Sequence, residues 1–304
     1  MKQNKLGTSD LFVSEIGLGC MSLSDDHLHN EKIIHEAIDR GVNFFDTADL
    51  YQLGFNEETV GKAIKGKRHD VILASKGGNE WGEGIDGWRW NPTKNYLKEA
   101  LKNSLLRLDI DYLDLYQLHG GTIDDPIDET IEAFEELVQE GTIRYYGISS
   151  IRPNVIKEYA EKSNIVSVMM QYSLLDRRPE EWFSLLDKHG LSMIARGPVS
   201  KGLLTNDFER KITEKGFLDY SEAELRATLE KLNTLADANT MSSQQLSLRY
   251  ILDQPQVSTA VTGASTSSQL IENIQSSNVS PLSIELTKKL EALFKAPVYE
   301  NHRN

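Results

Sequence analysis

Residues 113–149 read LDLYQLHGGTIDDPIDETIEAFEELVQEGTIRYYGIS, and this stretch decides the architecture. It opens on a short apolar run, 113–118, and closes on another, 145–149, each of the length of a buried strand. Between them Asp125 and Pro126 open a helix whose apolar positions Ile127, Ile131, Phe134 and Val138 share one face, and Gly141 stops it. A strand, a helix and a strand in this order form a βαβ unit with its two strands parallel.

The same alternation continues in both directions. Strands are expected at 16–20, 43–46, 71–75, 113–118, 145–149, 167–171, 192–196 and 259–263. Asn91 is expected to cap a helix with Pro92 at its first position, and Leu97, Leu101, Leu105 and Leu108 mark its inner face. Residues 7–13 read as a hairpin arm under the barrel, 222–239 as a helix in a long connection, and 284–294 as a terminal helix. Eight parallel strands with right-handed crossovers close naturally on themselves. The expected fold is therefore α/β: a (β/α)8 TIM barrel with an N-terminal β-hairpin and extra C-terminal helices. No repeat or linker interrupts the 304 residues, so a single domain, 1–304, is expected.

Composition narrows the function. A formal net charge of -13 argues against nucleic acid, whose phosphates need basic stripes. Cys20 is the one cysteine, so intrachain disulfides and cysteine-based metal sites are excluded, and it reads as buried packing. No apolar stretch is long enough to span a bilayer, and the first residues lack a signal-peptide core. A soluble, cytoplasmic protein acting on a small molecule, with no nucleic-acid or membrane partner, is the expectation. Nothing in the composition specifies an oligomeric state.

Side chains at the C-terminal ends of barrel strands converge on one mouth. There the second strand ends in Asp46, with Tyr51 shortly after it, the third in Lys76 and the fourth in His119. Reducing a carbonyl requires a proton donor for the oxygen as charge develops on it. A phenol is a weak acid at neutral pH, but an adjacent ammonium favours its anion, and a carboxylate behind the ammonium holds it in place. Tyr51, Lys76 and Asp46 supply that chain, and His119 can orient the carbonyl. No protein side chain donates hydride, so a nicotinamide cofactor is implied. Singly, each residue has a plainer reading: a helix cap, a solvated lysine, a structural histidine. Their convergence at one mouth favours chemistry.

Other patterns carry less. Residues 61–67 imitate a phosphate-binding loop, but Arg68 stands where Ser or Thr is required and the segment precedes a strand. His27 and His29 lie near a helix start, where surface capping outweighs metal binding, and no metal site is expected. Trp81, Trp88 and Trp90 lie in a glycine-rich loop directly after Lys76, which favours substrate contact by Trp81 and Trp88 over a plain hydrophobic lid.

The surrounding residues resemble the aldo-keto reductase family. Asp46-Thr47-Ala48-x-x-Tyr51-x-x-Gly54, with Glu58 and Gly61 beyond, is similar to its signature; Ala74-Ser75-Lys76 resembles its lysine strand and residues 114–119 its histidine strand. Residues 17–21 look like its first strand. The resemblance runs in order along nearly the whole chain, and its C-terminal cofactor segment most resembles bacterial reductases and the potassium-channel β-subunit branch. It implies an NADPH-dependent reductase, NADH being possible, in which Tyr51 is the general acid and also meets the substrate with His119. It further implies that Met21, Asp46, Ser149, Ser150 and Gln171 lie at the nicotinamide. Arg196 would lie against the nicotinamide ring, Gly197, Pro198, Val199, Lys201, Gly202 and Leu203 would line the pyrophosphate, and Ser265, Gln269, Glu272 and Asn273 the adenosine end.

Three departures stand out. Arg196 replaces the aromatic ring that many relatives place against the nicotinamide; it either bears on cofactor and substrate charge or forms an ion pair at the rim. Gly263 and Gln269 replace basic residues that many relatives set on the adenosine 2′-phosphate, leaving Ser265, Arg210, Lys211 or Lys215 to serve it. Gly120-Gly121 follow His119 where bulk is common, which is expected to widen the pocket. The alternative reading is a dinucleotide-binding regulatory subunit with little turnover.

Overall fold

The computed structural model describes residues 1–303; Asn304, the last residue of the expected 1–304 unit, lies outside them. Eight parallel strands close a barrel in chain order: β1 Ile16–Gly19, β2 Phe44–Asp46, β3 Ile72–Gly77, β4 Leu113–Leu118, β5 Ile143–Ser149, β6 Ser167–Gln171, β7 Ser192–Arg196 and β8 Val257–Gly263. All eight expected strands are present. β3 continues to Gly77, while β5 and β8 start two residues early.

Helices cover the outside: α1 His27–Asp39, α2 Phe55–Ile64, α3 Lys94–Leu108, α4 Ile127–Gln139, α5 Pro153–Lys162 and α6 Phe183–His189. The long connection after β7 holds two helices, α7 Glu222–Ala238 and α8 Ser243–Leu252. Each begins with a reciprocal cap, Ser221 with Glu224 and Ser242 with Gln245, which starts the helix, and α7 ends at its cap residue Asn239 just before the second. α9 Ser267–Gln275 and α10 Ile284–Leu293 follow β8. α3 starts later than expected. Thr93 is its cap residue, and Asn91 instead accepts from the Thr93 N–H and hydroxyl, shaping the turn before it.

The N-terminal hairpin pairs Gln3–Lys5 with Phe12–Ser14, so residues 7–11 are its turn and not its strands. It lies across the bottom of the barrel. The Gly7 N–H donates to Ser192 Oγ (2.7 Å), the Asn4 amide to the Ser258 carbonyl (3.0 Å) and the Ser258 hydroxyl to the Lys5 carbonyl (2.7 Å). Leu6, Leu11 and Val13 thereby join Phe44, Ala74, Leu115, Met169, Ile194 and Val261 in a packed interior. With that end sealed, the C-terminal mouth is where a ligand can enter. Among the described residues no helix is long and apolar enough to cross a membrane.

α2 and α3 approach at Gly61, where an added Cβ would lie 2.3 Å from the Leu108 carbonyl oxygen. Gly61→Ala should therefore cost about 2 kcal/mol of unfolding free energy in urea denaturation. An unchanged midpoint would mean the two helices can separate freely.

Candidate active site

Alternation along the strands builds the site. Phe44, Ala74, Leu115, Met169 and Ile194 point into the apolar interior, and two residues further on stand Asp46, Lys76, Gln117, Gln171 and Arg196. A side-chain period of two places each of these on the same inner face, one layer nearer the mouth. The site is the polar top layer of the barrel's core.

Lys76, 1 % exposed, is its centre. The ammonium donates to Asp46 Oδ2 (2.7 Å), the Thr47 carbonyl (2.8 Å) and the Tyr51 hydroxyl (3.1 Å). Burial opposes the charge on Lys76, but Asp46 and Tyr51 outweigh it and hold the ammonium above the ordinary lysine value. Burial raises the Asp46 carboxyl, and the Lys76 cation opposes that rise. Tyr51 reaches Lys76 because the chain turns back sharply after it: Gln52, Leu53 and Gly54 all have positive φ. The His119 ring stands edge-on to Tyr51, centroids 5.8 Å apart at 83°. Burial, then the charges of Lys76 and Arg196, push its imidazole down to about 3, so the ring is neutral. All four predicted residues meet.

Two carboxyls behind the site went unnoticed in the sequence. Glu57 is fully buried, accepting from the Ser75 hydroxyl and from Arg107 (2.7 Å), whereas Glu58 lies at the surface, 4.0 Å from Lys62. Glu57, spaced three from Gly54 and four from Gly61, is therefore the inward acid of the signature and Glu58 is not. Asp49 is also buried, with both carboxyl oxygens lacking a partner. Burial and the nearby Glu57 carboxylate raise it to about 8. The available signal was an acid two residues before Tyr51, which alternation alone cannot orient because it lies in a loop.

The surrounding residues divide. Ser149 and Gln171 end β5 and β6, Ser150 follows buried, and Met21 is exposed after β1. The Arg196 guanidinium hydrogen-bonds to Gln171 Oε1, at 3.4 Å, and no described carboxylate pairs with it, so the rim ion pair does not form. Residues 197–203 turn tightly, with Gly197, Ser200, Lys201 and Gly202 at positive φ. At the start of α9, Gln269 folds back to accept from the Ser265 N–H and hydroxyl. Asn273 is spent on Gly263 and Gln244, while burial and Asp207 raise the half-buried Glu272 carboxyl.

Trp81 stacks on Arg107 beside Gly54, and Trp88 is 53 % exposed. Trp90 fills the space at Gly78 and Gly120, its N–H donating to Asp125. The glycine after His119 therefore seats an indole and does not widen the pocket. His27 bonds to Thr59 and Lys62, His29 to the Ser265 carbonyl, and Asp26 caps α1. Cys20 is fully buried, with its thiol held up by that burial.

Comparison with known proteins fits this geometry. A sequence profile described as the aldo/keto reductase family matches residues 15–295. A Bacillus subtilis protein named as an uncharacterized oxidoreductase is 56% identical across 100% of both chains. An aldo-keto reductase of Schizosaccharomyces pombe, with NADP(+) in its name, is 32% identical over 80% of this chain and 77% of its own. The holo structure of an aldo-keto reductase from Bacillus halodurans matches with a TM-score of 0.95 at 55% identity, covering 100% of both chains.

Two titrations check the electrostatics. The His119 ring resonances should stay constant in NMR from about pH 5 to 8; a midpoint near the ordinary histidine value of about 6.5 would overturn the neutral assignment. Asp49 holds its proton in the folded state long after the unfolded chain has lost it at about pH 4. Folding is therefore penalised increasingly as pH rises from there to about 8. The thermal midpoint of Asp49→Asn should gain on the parent across that window and then level off. A pH-independent difference would mean that Asp49 is ionised throughout.

Proposed function

The chain belongs to the aldo/keto reductase family and is a carbonyl oxidoreductase; on that premise we propose that it reduces aldehydes or ketones to alcohols with NADPH, Tyr51 acting as general acid. The observation that carries this is the 3.1 Å contact of Lys76 with the Tyr51 hydroxyl, backed by Asp46 at 2.7 Å. Tyr51 gives its proton to the carbonyl oxygen. Lys76 stabilises the phenolate left behind, and Asp46 keeps the lysine charged and aimed. His119, neutral, donates a hydrogen bond that fixes the carbonyl against Tyr51. Trp88, exposed at the base of the 81–88 loop, and Trp81, beside the Tyr51 turn, would meet the rest of the substrate.

The residues suit an anionic dinucleotide. Arg196, Lys201, Arg210, Lys211 and Lys215 make no ion pair among the described residues, although the protein carries a charge of -13. Such unmatched cations on one stretch, with the tight turn at 197–203 and the N-terminus of α9, are places for phosphates. Ser149, Ser150 and Gln171 would hold the carboxamide, Met21 and Arg196 the ring, and Gly197, Pro198, Val199, Lys201, Gly202 and Leu203 the pyrophosphate. Ser265, Gln269 and Glu272 would hold the adenosine end, and Asn273 would brace it. The bound reduced nicotinamide would supply the hydride.

Absorbance at 340 nm should fall with NADPH and a panel of aldehydes and ketones, and more slowly with NADH. Tyr51→Phe should lower turnover by at least about 100-fold with NADPH affinity unchanged. Retained turnover in that variant would remove Tyr51 as the acid. Tight NADPH binding without oxidation by any carbonyl would point instead to a dinucleotide sensor.

A further inference from the structure

Gln171 closes β6 with an amide that has a donor end and an acceptor end, and its neighbours determine which faces the mouth. On one side its Nε2 donates to Asp176 Oδ2 at 3.0 Å. On the other, the Arg196 guanidinium lies 3.4 Å from Oε1. A carboxylate can only accept and a guanidinium can only donate, so both neighbours impose the same orientation, with the oxygen towards the mouth.

Asp176 is fully buried and could not hold this position alone. Arg178 grips it with two parallel hydrogen bonds of 2.7 Å, the strongest form of such a pair. The Asp176 N–H also donates to the Ser173 carbonyl (3.0 Å) and hydroxyl (3.1 Å), closing a tight turn. Over the guanidinium lies the ring of Tyr299, 4.3 Å from the Arg178 carbon. Tyr299 belongs to the C-terminal tail and is 8 % exposed, although its neighbour Val298 is 53 % exposed. The tail is tied down on both sides of the ring. The Lys295 N–H donates to the Tyr220 hydroxyl (2.6 Å), the Tyr299 N–H to Glu181 (3.1 Å), and Arg303 pairs with Glu181 (2.8 Å).

We infer that Asp176 and Arg178, covered by Tyr299, are positioning residues that hold the Gln171 amide with its oxygen towards the cofactor, so that the C-terminal tail governs how the nicotinamide carboxamide is received. The inference rests on the proposed place of Gln171 at the carboxamide. In this orientation Gln171 accepts from the carboxamide NH2 group. A 3-acetylpyridine ring in place of nicotinamide keeps the carbonyl but has no NH2, so it cannot make that bond. Asp176→Asn removes the charge that takes two hydrogen bonds from Arg178, and either rotamer of the new amide sets its NH2 against an Arg178 donor. The grip on Gln171 is thereby loosened and its amide no longer holds one orientation.

The experiment is fluorescence titration of the full-length protein with NADP+ and with its 3-acetylpyridine analogue. The parent should prefer NADP+ by about fivefold, the worth of one neutral hydrogen bond. That ratio should fall towards one in Asp176→Asn. In Tyr299→Leu, which uncovers Arg178 without changing the buried pair, it should fall part of the way. A merely structural role would weaken both ligands equally, and an unchanged ratio in both variants overturns the inference even if affinities drop. Should Asp176→Asn fail to fold, Tyr299→Leu alone decides by the same ratio. A parent that binds neither dinucleotide would instead overturn the proposed function itself.

Discussion

A lysine and an aspartate, both withdrawn from water and 2.7 Å apart, set the terms for the rest of this molecule. Burying two charges costs more than their attraction returns unless the remaining hydrogen-bonding capacity is met, and losing one partner costs about 3–5 kcal/mol. Here the balance is met by the Thr47 carbonyl, the Tyr51 hydroxyl and a longer contact from Gln117 to Asp46. That set is available only if β2, β3 and β4 keep register, Asp46 opposite Ala74 and Lys76 opposite Gln117. A one-residue slip would turn Lys76 outwards. The closed barrel and its sealed bottom hold the register against such a slip.

Much of this was legible because strands and sites share one periodicity. The eight strands followed from short apolar runs, and the tetrad followed from reading what stands at their ends. Boundaries were less secure where loop chemistry decided them: Asn91 bonds to Thr93 and so delays α3, and the hairpin's turn at 7–11 runs without a break in pattern into its strand Phe12–Ser14, because Leu11 is as apolar as Val13. Long-range pairings were not legible. Locally only the spacing to Gly54 and Gly61 separates Glu57 from Glu58; the partners that bury it, Ser75 and Arg107, are 18 and 50 residues away. Asp176 likewise acquires its importance only through Arg178 and a tail more than a hundred residues later.

The charge distribution follows the same logic of local exceptions. Many cations are matched to the surplus of acids, as in the ladder of Lys94 and Lys98 against Glu132, Glu136 and Glu140. Exposed pairs of this kind add little to stability. The segment from Arg196 to Lys215 gathers several cations that form no ion pair among the described residues, and they remain available to an incoming anion. Net charge misdescribes such a surface; what matters is where pairing is withheld.

The hairpin beneath the barrel has a consequence for how the chain comes to be folded at all. Its partners Ser192 and Ser258 are 185 and 254 residues away, measured from Gly7 and Asn4, and β8 must pair with both β7 and β1. Contacts so distant along the chain are reached slowly. During synthesis the first strands and their hairpin therefore wait, with β1 and β7 as open sheet edges, until β8 emerges and closes both in one event. A nascent chain short of Val257 already contains Asp46, Tyr51, Lys76 and His119, yet it presents two unpaired edges to its neighbours. Its hazard on the ribosome is association with other unfinished chains, and the last strand is what ends it.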